Sequence, residues 1–66
     1  DSRDLFNIAC AYGMMGEYSS GLPYIRKALE KHPNYVDTIL ADVDMEEYKK
    51  FPEFWNLINE FRPKKR

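Results

Sequence analysis

The residues of this chain with reactive side chains are one cysteine, one histidine and a group of carboxylates. Cys10 is the single cysteine and His32 the single histidine. Nucleophilic catalysis by a thiol needs a base within hydrogen-bond reach, yet the sequence places these two residues on different helices. We therefore expect Cys10 to pack or to line a groove, and His32 to be a favourable charge at a helix C-terminus.

Four carboxylates lie close together in sequence and are the candidates for binding a metal ion: Asp42, Asp44, Glu46 and Glu47. Their spacing resembles a calcium loop, but the glycine of such a loop and its distant glutamate are missing. Helix capping accounts for Asp44 and Glu47 without a metal. The sequence also contains no phosphate-binding glycine motif, catalytic triad or paired-carboxylate arrangement. We expect no metal, no cofactor and no enzyme activity.

Composition points to one small folded domain. The chain has 66 residues, of which 44% are hydrophobic and 15% aromatic, enough to form a core. A net charge of −1 gives no general attraction to nucleic acid or anionic membranes, and no apolar stretch has the length of a membrane span. A single cysteine favours a reducing compartment such as the cytoplasm.

The first part of the chain has the apolar spacing of a helix that starts at Asp1 or Ser2, either of which could cap it. One face forms a predicted core stripe of Leu5, Ile8, Ala9, Tyr12 and Met15. A second apolar sector is formed by Phe6, Cys10, Gly13 and Met14. Gly16 suits the left-handed conformation that ends a helix.

A second helix is expected from Ser19 or Ser20, with Pro23 in its first turn. Its apolar face contains Leu22, Ile25, Ala28 and Leu29, and Pro33 ends it. Gly13 and Gly21 are unfavourable inside helices, so we expect them to allow two antiparallel helices to approach closely. Residues 1–33 are thus predicted to form a helical hairpin.

The remaining apolar residues predict short capping helices over residues 34–62. Asn34 would cap a third helix with Val36, Ile39, Leu40 and Val43 on its apolar face. Asp44 and Glu47 then match a capping box before residues 45–50. Pro52 would open a last helix to about Phe61, with an inner face of Phe54, Leu57, Ile58 and Phe61 and with Trp55 on its flank. No alternating pattern indicates a strand, so the predicted fold is all-α, with a solvated basic tail at residues 63–66.

The hairpin resembles a tetratricopeptide repeat. The resemblance is carried by Leu5, Ile8, Ala9, Tyr12, Gly16, Tyr18, Gly21, Ile25, Ala28 and Pro33. Gly21 stands where the family usually has alanine, and Pro23 is unusually early in the second helix. The pattern does not repeat, because Asp42 and Glu46 fall one period after Ile8 and Tyr12.

The segment "ADVDMEEYKKFPEFWNLI" is similar to the tail that follows the last repeat in many bacterial tetratricopeptide proteins. Such a tail covers the apolar flank that another repeat would bury. The resemblance therefore implies the C-terminal end of a repeat array, whose first helices hold partner peptides. It assigns that partner-binding role to Arg3, Phe6, Asn7, Cys10 and Met14.

We accordingly expect a noncatalytic module that binds a protein or peptide partner, with Arg3 and Asn7 able to hold a carboxylate or backbone. Two alternatives stay open. In one, the chain is a structural cap or the homodimerising end of a longer array, and Phe6 and Gly13 pack on an upstream repeat. In the other, it is the regulatory tail of a larger bacterial enzyme.

Overall fold

The computed structural model describes residues 2–62, so the predicted basic tail at residues 63–66 lies outside the described part. The helices are α1 (Ser2–Met14), α2 (Tyr18–Lys31), α3 (Tyr35–Ala41) and α4 (Pro52–Phe61). Two short 3₁₀ turns, Val43–Met45 and Tyr48–Lys50, connect α3 to α4. The described residues contain no strand, and the prediction of an all-α fold is confirmed.

A tight turn joins α1 to α2 and makes them an antiparallel pair. Gly16 has a φ of 78°, the left-handed conformation predicted for it. The amide of Glu17 closes the turn by donating to the Tyr12 carbonyl at 2.8 Å. At the other end of the pair, the buried Ser2 hydroxyl donates to the Ala28 carbonyl at 3.2 Å. Ser2 therefore lies within α1 and ties it to α2, whereas the sequence predicted a capping role.

Helix α2 begins earlier than the sequence predicted. It includes Tyr18, and Pro23 lies inside the helix rather than in its first turn. The Tyr18 ring packs against the ring of Tyr48, with centroids 5.3 Å apart, and that of Phe51, at 4.7 Å. These aromatic contacts hold the first turn of α2, which has no side-chain cap.

Gly13 and Gly21 both accommodate a side chain from the helical tail, residues 34–62, which the sequence did not predict. Gly21 also allows the predicted close approach of the two helices, because a Cβ atom on it would lie 3.2 Å from Cβ of Tyr12 on α1. A Cβ atom on Gly13 would lie 2.9 Å from Cε2 of Tyr48, and one on Gly21 would overlap the Tyr48 hydroxyl. That hydroxyl donates to the Ala9 carbonyl at 2.7 Å. Burial, followed by electrostatic effects of Cys10 and Tyr18, raises the pKa of Tyr48 to about 12, so its hydroxyl stays protonated and able to donate.

The tail differs in detail from its predicted helices. Asp42, not Asp44, is the capping residue, because its carboxylate accepts the Asp44 amide at 2.9 Å. The predicted capping box with Glu47 is therefore wrong, and two 3₁₀ turns replace one helix. Asn34 stands at the N-cap position of α3 without a side-chain cap bond. The prediction that Pro52 opens the last helix and that it ends at Phe61 is confirmed.

The core lies where the tail packs on the hairpin. Its fully or nearly fully buried members are Phe6, Ala9, Ile25, Ala28, Leu29, Val36, Ile39, Met45, Tyr48, Phe54, Leu57 and Ile58. The predicted core stripe of α1 is partly wrong, because Ile8 is 39% and Met15 64% exposed. The tail covers the side of α1 that carries Phe6 and Gly13, and the described residues leave the Ile8 side of the helix uncovered.

Candidate functional site

The predicted partner-binding residues lie along one edge of α1, which we call the α1 edge: Arg3, Asn7, Cys10 and Met14. Arg3 and Asn7 are exposed, Cys10 is half-buried, and the Met14 side chain is 82% exposed. Each is three or four residues from the next, so successive helical turns place them in a row. The structure thus brings four of the five predicted residues together.

Phe6 is the exception, and its predicted contact with a partner is corrected. It is only 7% exposed, and its ring packs edge-on against Tyr35 with centroids 5.4 Å apart. Because α3 supplies this partner ring, Phe6 needs no upstream repeat to cover it. Its role is to fix α3 against α1 beside the α1 edge.

A cleft opens at the end of the α1 edge, where the start of α1 meets the end of α2. We call it the basic cleft; it has a volume of about 810 Å³ and is lined by Ser2, Arg3, Lys31, His32, Asn34, Tyr35 and Thr38. Three of these side chains carry or can carry a positive charge and none is acidic. Arg3 was predicted as a site residue, but Lys31 and His32 were not, because only the antiparallel hairpin brings the two helix ends together.

Cys10 lies beside the first 3₁₀ turn. Its sulfur and one carboxylate oxygen each of Asp42 and Asp44 lie within 4.8 Å of one another, which makes them the described residues that could hold a metal ion. Burial, and then the two carboxylates, raise the pKa of the Cys10 thiol. The thiol is therefore poor as a nucleophile at neutral pH, and a metal would have to displace its proton.

A shallow groove of about 420 Å³ between α2 and α4 was not predicted. It is lined by Ser19, Leu22, Pro23, Arg26, Lys27, Glu30, Glu53 and Leu57. The Arg26 guanidinium donates to both carboxylate oxygens of Glu60, at 2.8 and 2.9 Å. This hydrogen-bonded contact lowers the pKa of Glu60 and joins α2 to α4 across the protein surface.

The uncovered side of α1 carries an apolar surface that we call the open flank: Leu5, Ile8, Tyr12 and Met15, with Tyr24 of α2 beside them. The Tyr12 and Tyr24 rings stack with centroids 5.7 Å apart. Leu5 and Tyr12 are half-buried, while Ile8 and Met15 are exposed. Apolar side chains that meet on one side of a helix pair are typical of a contact surface.

Comparison with known proteins adds no relative: no family model, no curated protein and no solved structure matches the chain. The tetratricopeptide resemblance thus stands on the residues alone. Within residues 2–62, no helix has both the length and the apolar character needed to cross a membrane. Fold and surface together define the class: an all-α hairpin with a helical tail, carrying an exposed α1 edge, a basic cleft and an open flank.

Proposed function

We propose that the chain is a noncatalytic protein-interaction module, a terminal tetratricopeptide-like hairpin that binds a partner peptide or helix along the α1 edge. The observation that supports this proposal best is the two-sided use of α1. One side is fixed in the core through Phe6 and Ala9, while the α1 edge presents Arg3, Asn7 and Met14 to solvent.

The mechanism follows from what successive turns of α1 display. Arg3 offers a cation, Asn7 both donates and accepts hydrogen bonds, and Met14 offers a flexible apolar thioether. A partner with a polar or acidic end and an apolar end would match this order. Because α1 is packed against α2 and the tail, little ordering of the chain accompanies binding, which favours affinity.

The α1 edge is tested with peptides selected for binding from a random display library. We expect the Asn7→Ala, Met14→Ala double variant to bind the selected peptides about 30-fold more weakly, because an exposed apolar contact and a hydrogen bond each contribute roughly 1 kcal/mol. Both side chains are exposed, so the circular dichroism spectrum should not change. Binding is measured by isothermal titration calorimetry.

Met15→Ala is the matched control, since it removes the same side chain one residue further, on the open flank. It should leave the affinity for the selected peptides unchanged. Equal affinity of the wild type and the double variant would contradict binding at the α1 edge.

The open flank favours a second candidate function, a structural one. Here the chain is the end of a longer array or one subunit of a homodimer. In either case Ile8 and Met15 pack against a further helix pair. The stacked Tyr12 and Tyr24 rings would lie at the centre of such a contact. The regulatory tail of a larger bacterial enzyme would use the same surfaces, and the sequence of the complete gene would test that prediction.

Sedimentation velocity over a concentration series tests the homodimer. If the open flank is a dimer interface, the wild type should sediment as a dimer at high concentration, and Ile8→Asp should sediment as a monomer. A charge opposed by its own copy across an apolar contact costs several kcal/mol. Asn7→Asp is the matched control on the α1 edge and should still dimerise. A wild type that is monomeric throughout would contradict self-association.

A further inference from the structure

We infer that the basic cleft binds the carboxylates of an acidic peptide segment. The inference rests on the proposed interaction function and names the chemistry of the partner at one end of the α1 edge. Its basis is the convergence of Arg3, Lys31 and His32 on one cavity of about 810 Å³.

The charge of the cleft differs from that of the whole chain. The protein carries a net charge of −1, yet three basic side chains and no carboxylate line the cleft. Among residues 2–62, neither Lys31 nor His32 forms an ion pair or a side-chain hydrogen bond. The other three described lysines differ: Lys49 and Lys50 pair with Glu46 and Glu47, and Lys27 lies over the Tyr24 ring. An acidic ligand would therefore be attracted to this cleft in particular.

Neutral polar groups complete the cleft. Asn34, Tyr35 and Thr38 are among its lining residues, and side chains of these types can donate hydrogen bonds to carboxylate oxygens. The Tyr35 ring is held by Phe6, so its position is set before any ligand binds. Hydrogen bonds to an ionised carboxylate are charge-assisted and stronger than those between neutral groups.

The size and openness of the cleft favour a peptide over a small anion. A volume of about 810 Å³ falls in the range of pockets that hold drug-sized ligands and exceeds what a single small anion fills. The cleft is also continuous with the α1 edge through Arg3, which belongs to both. A segment whose acidic residues occupy the cleft can thus extend past Asn7 towards Met14. Carboxylates from aspartate and glutamate side chains and from a chain end share this chemistry.

The experiment is a two-dimensional NMR titration of the isotope-labelled 66-residue chain with three peptides that differ in their carboxylates. The first is acetyl-Gly-Glu-Asp-Glu-Asp-Gly-amide. The second replaces its acids with Gln and Asn and keeps the amide, and the third is this uncharged peptide with a chain-terminal carboxylate. We expect the first to shift the amides of Lys31, His32 and Asn34, and the second to shift none. A response to the third would assign the chain end as a further source of the carboxylate and would also support the inference.

Lys31→Gln and Lys27→Gln are the matched pair for the affinity. Both remove one charge from α2, but only Lys31 lines the basic cleft, whereas Lys27 lines the groove between α2 and α4. We expect Lys31→Gln to weaken binding of the acidic peptide about three- to fivefold, the effect of one exposed charge pair. Lys27→Gln should have little effect, and added salt should weaken binding to the wild type.

Three outcomes would overturn the inference: no shifts with the acidic peptide, equal weakening by both lysine variants, or equal shifts with a single-stranded oligonucleotide of the same charge. Display-selected peptides that still depend on Met14 would then leave the proposed function standing. Conversely, the acidic peptide could bind the cleft while the affinity of the selected peptides does not depend on Asn7 and Met14. That result would contradict partner binding along the α1 edge and would leave the inference on the cleft intact.

Discussion

Gly21→Ala should destabilise the protein by about 3 kcal/mol, because the new methyl group would occupy the space of the Tyr48 hydroxyl. Tyr48 cannot swing aside easily, since its side chain is fully buried and its ring packs between Tyr18 and Phe54. Displacing the ring would also break its hydrogen bond to the Ala9 carbonyl. The loss is a large part of the total stability, which for a domain of this size is roughly 3–10 kcal/mol.

The change is measured by urea denaturation followed by circular dichroism. Ser20→Ala is the control, since it adds helix propensity at an exposed neighbouring position of α2. Alanine is favoured over glycine in a helix by about 1 kcal/mol. Gly21→Ala would therefore stabilise the protein if no side chain lay close to this position. A Gly21→Ala midpoint at or above that of the wild type would therefore contradict the contact with Tyr48.

Combining the change with Tyr48→Phe tests the same contact through a double-mutant cycle. Tyr48→Phe alone should destabilise the protein by about 1–2 kcal/mol, since it leaves the Ala9 carbonyl without its side-chain donor. The double variant should lose less stability than the sum of the losses in the two single variants, because removal of the hydroxyl makes room for the methyl group. Rescue should be partial, since the ring carbon Cζ would still lie 3.0 Å from the new Cβ.

The helices could be predicted because their signals are local. Gly16 and Pro52 act through their own backbone preferences, and both occupy the predicted positions. The apolar spacing of Ile25, Ala28 and Leu29 is likewise a property of one helix. These features depend on neighbours a few residues away, so they can be predicted from the sequence alone.

The errors arose where a distant part of the chain decides the outcome. Phe6 and Ile8 are both apolar residues of α1. Phe6 is buried and Ile8 is exposed because the tail, which includes α3, packs on only one side of the helix. Gly13 and Gly21 were both predicted to serve helix contact. Gly21 does face Tyr12 of α1, but the contact of both glycines with Tyr48 depends on a residue far along the chain. The exchange of Asp42 for Asp44 as capping residue has a smaller cause: two 3₁₀ turns shift the boundary by two residues.

The candidate site was predictable in part for the same reason. Arg3, Asn7, Cys10 and Met14 share one helix edge by spacing alone. Lys31 and His32 join Arg3 only through the antiparallel hairpin, and the acidic neighbours of Cys10 only through the fold of the tail. The part of the surface built from two or more elements therefore needed coordinates.

The largest effect is expected at Phe54, the residue of α4 with a fully buried aromatic ring in the hydrophobic core. Its side chain is fully buried, and its ring lies 6.0 Å from that of Tyr48 and 5.2 Å from that of Trp55, between centroids. Phe54→Ala should cost about 3–5 kcal/mol through lost burial and the cavity left behind. A single core in a chain this short supplies little more than that, so we expect the variant to be largely unfolded at 25 °C.

Phe61→Ala is the matched control, because it makes the same substitution in the same helix at a half-buried position. Both variants gain the same helix propensity, so the difference between them reports burial. Urea denaturation followed by circular dichroism should show a clear transition for Phe61→Ala and little or none for Phe54→Ala. Phe54→Leu should recover a cooperative transition, since most of the side-chain volume returns. Similar midpoints for the two alanine variants would contradict a lid formed by α4, and with it the assignment of the tail as the element that holds the hairpin and its α1 edge in place.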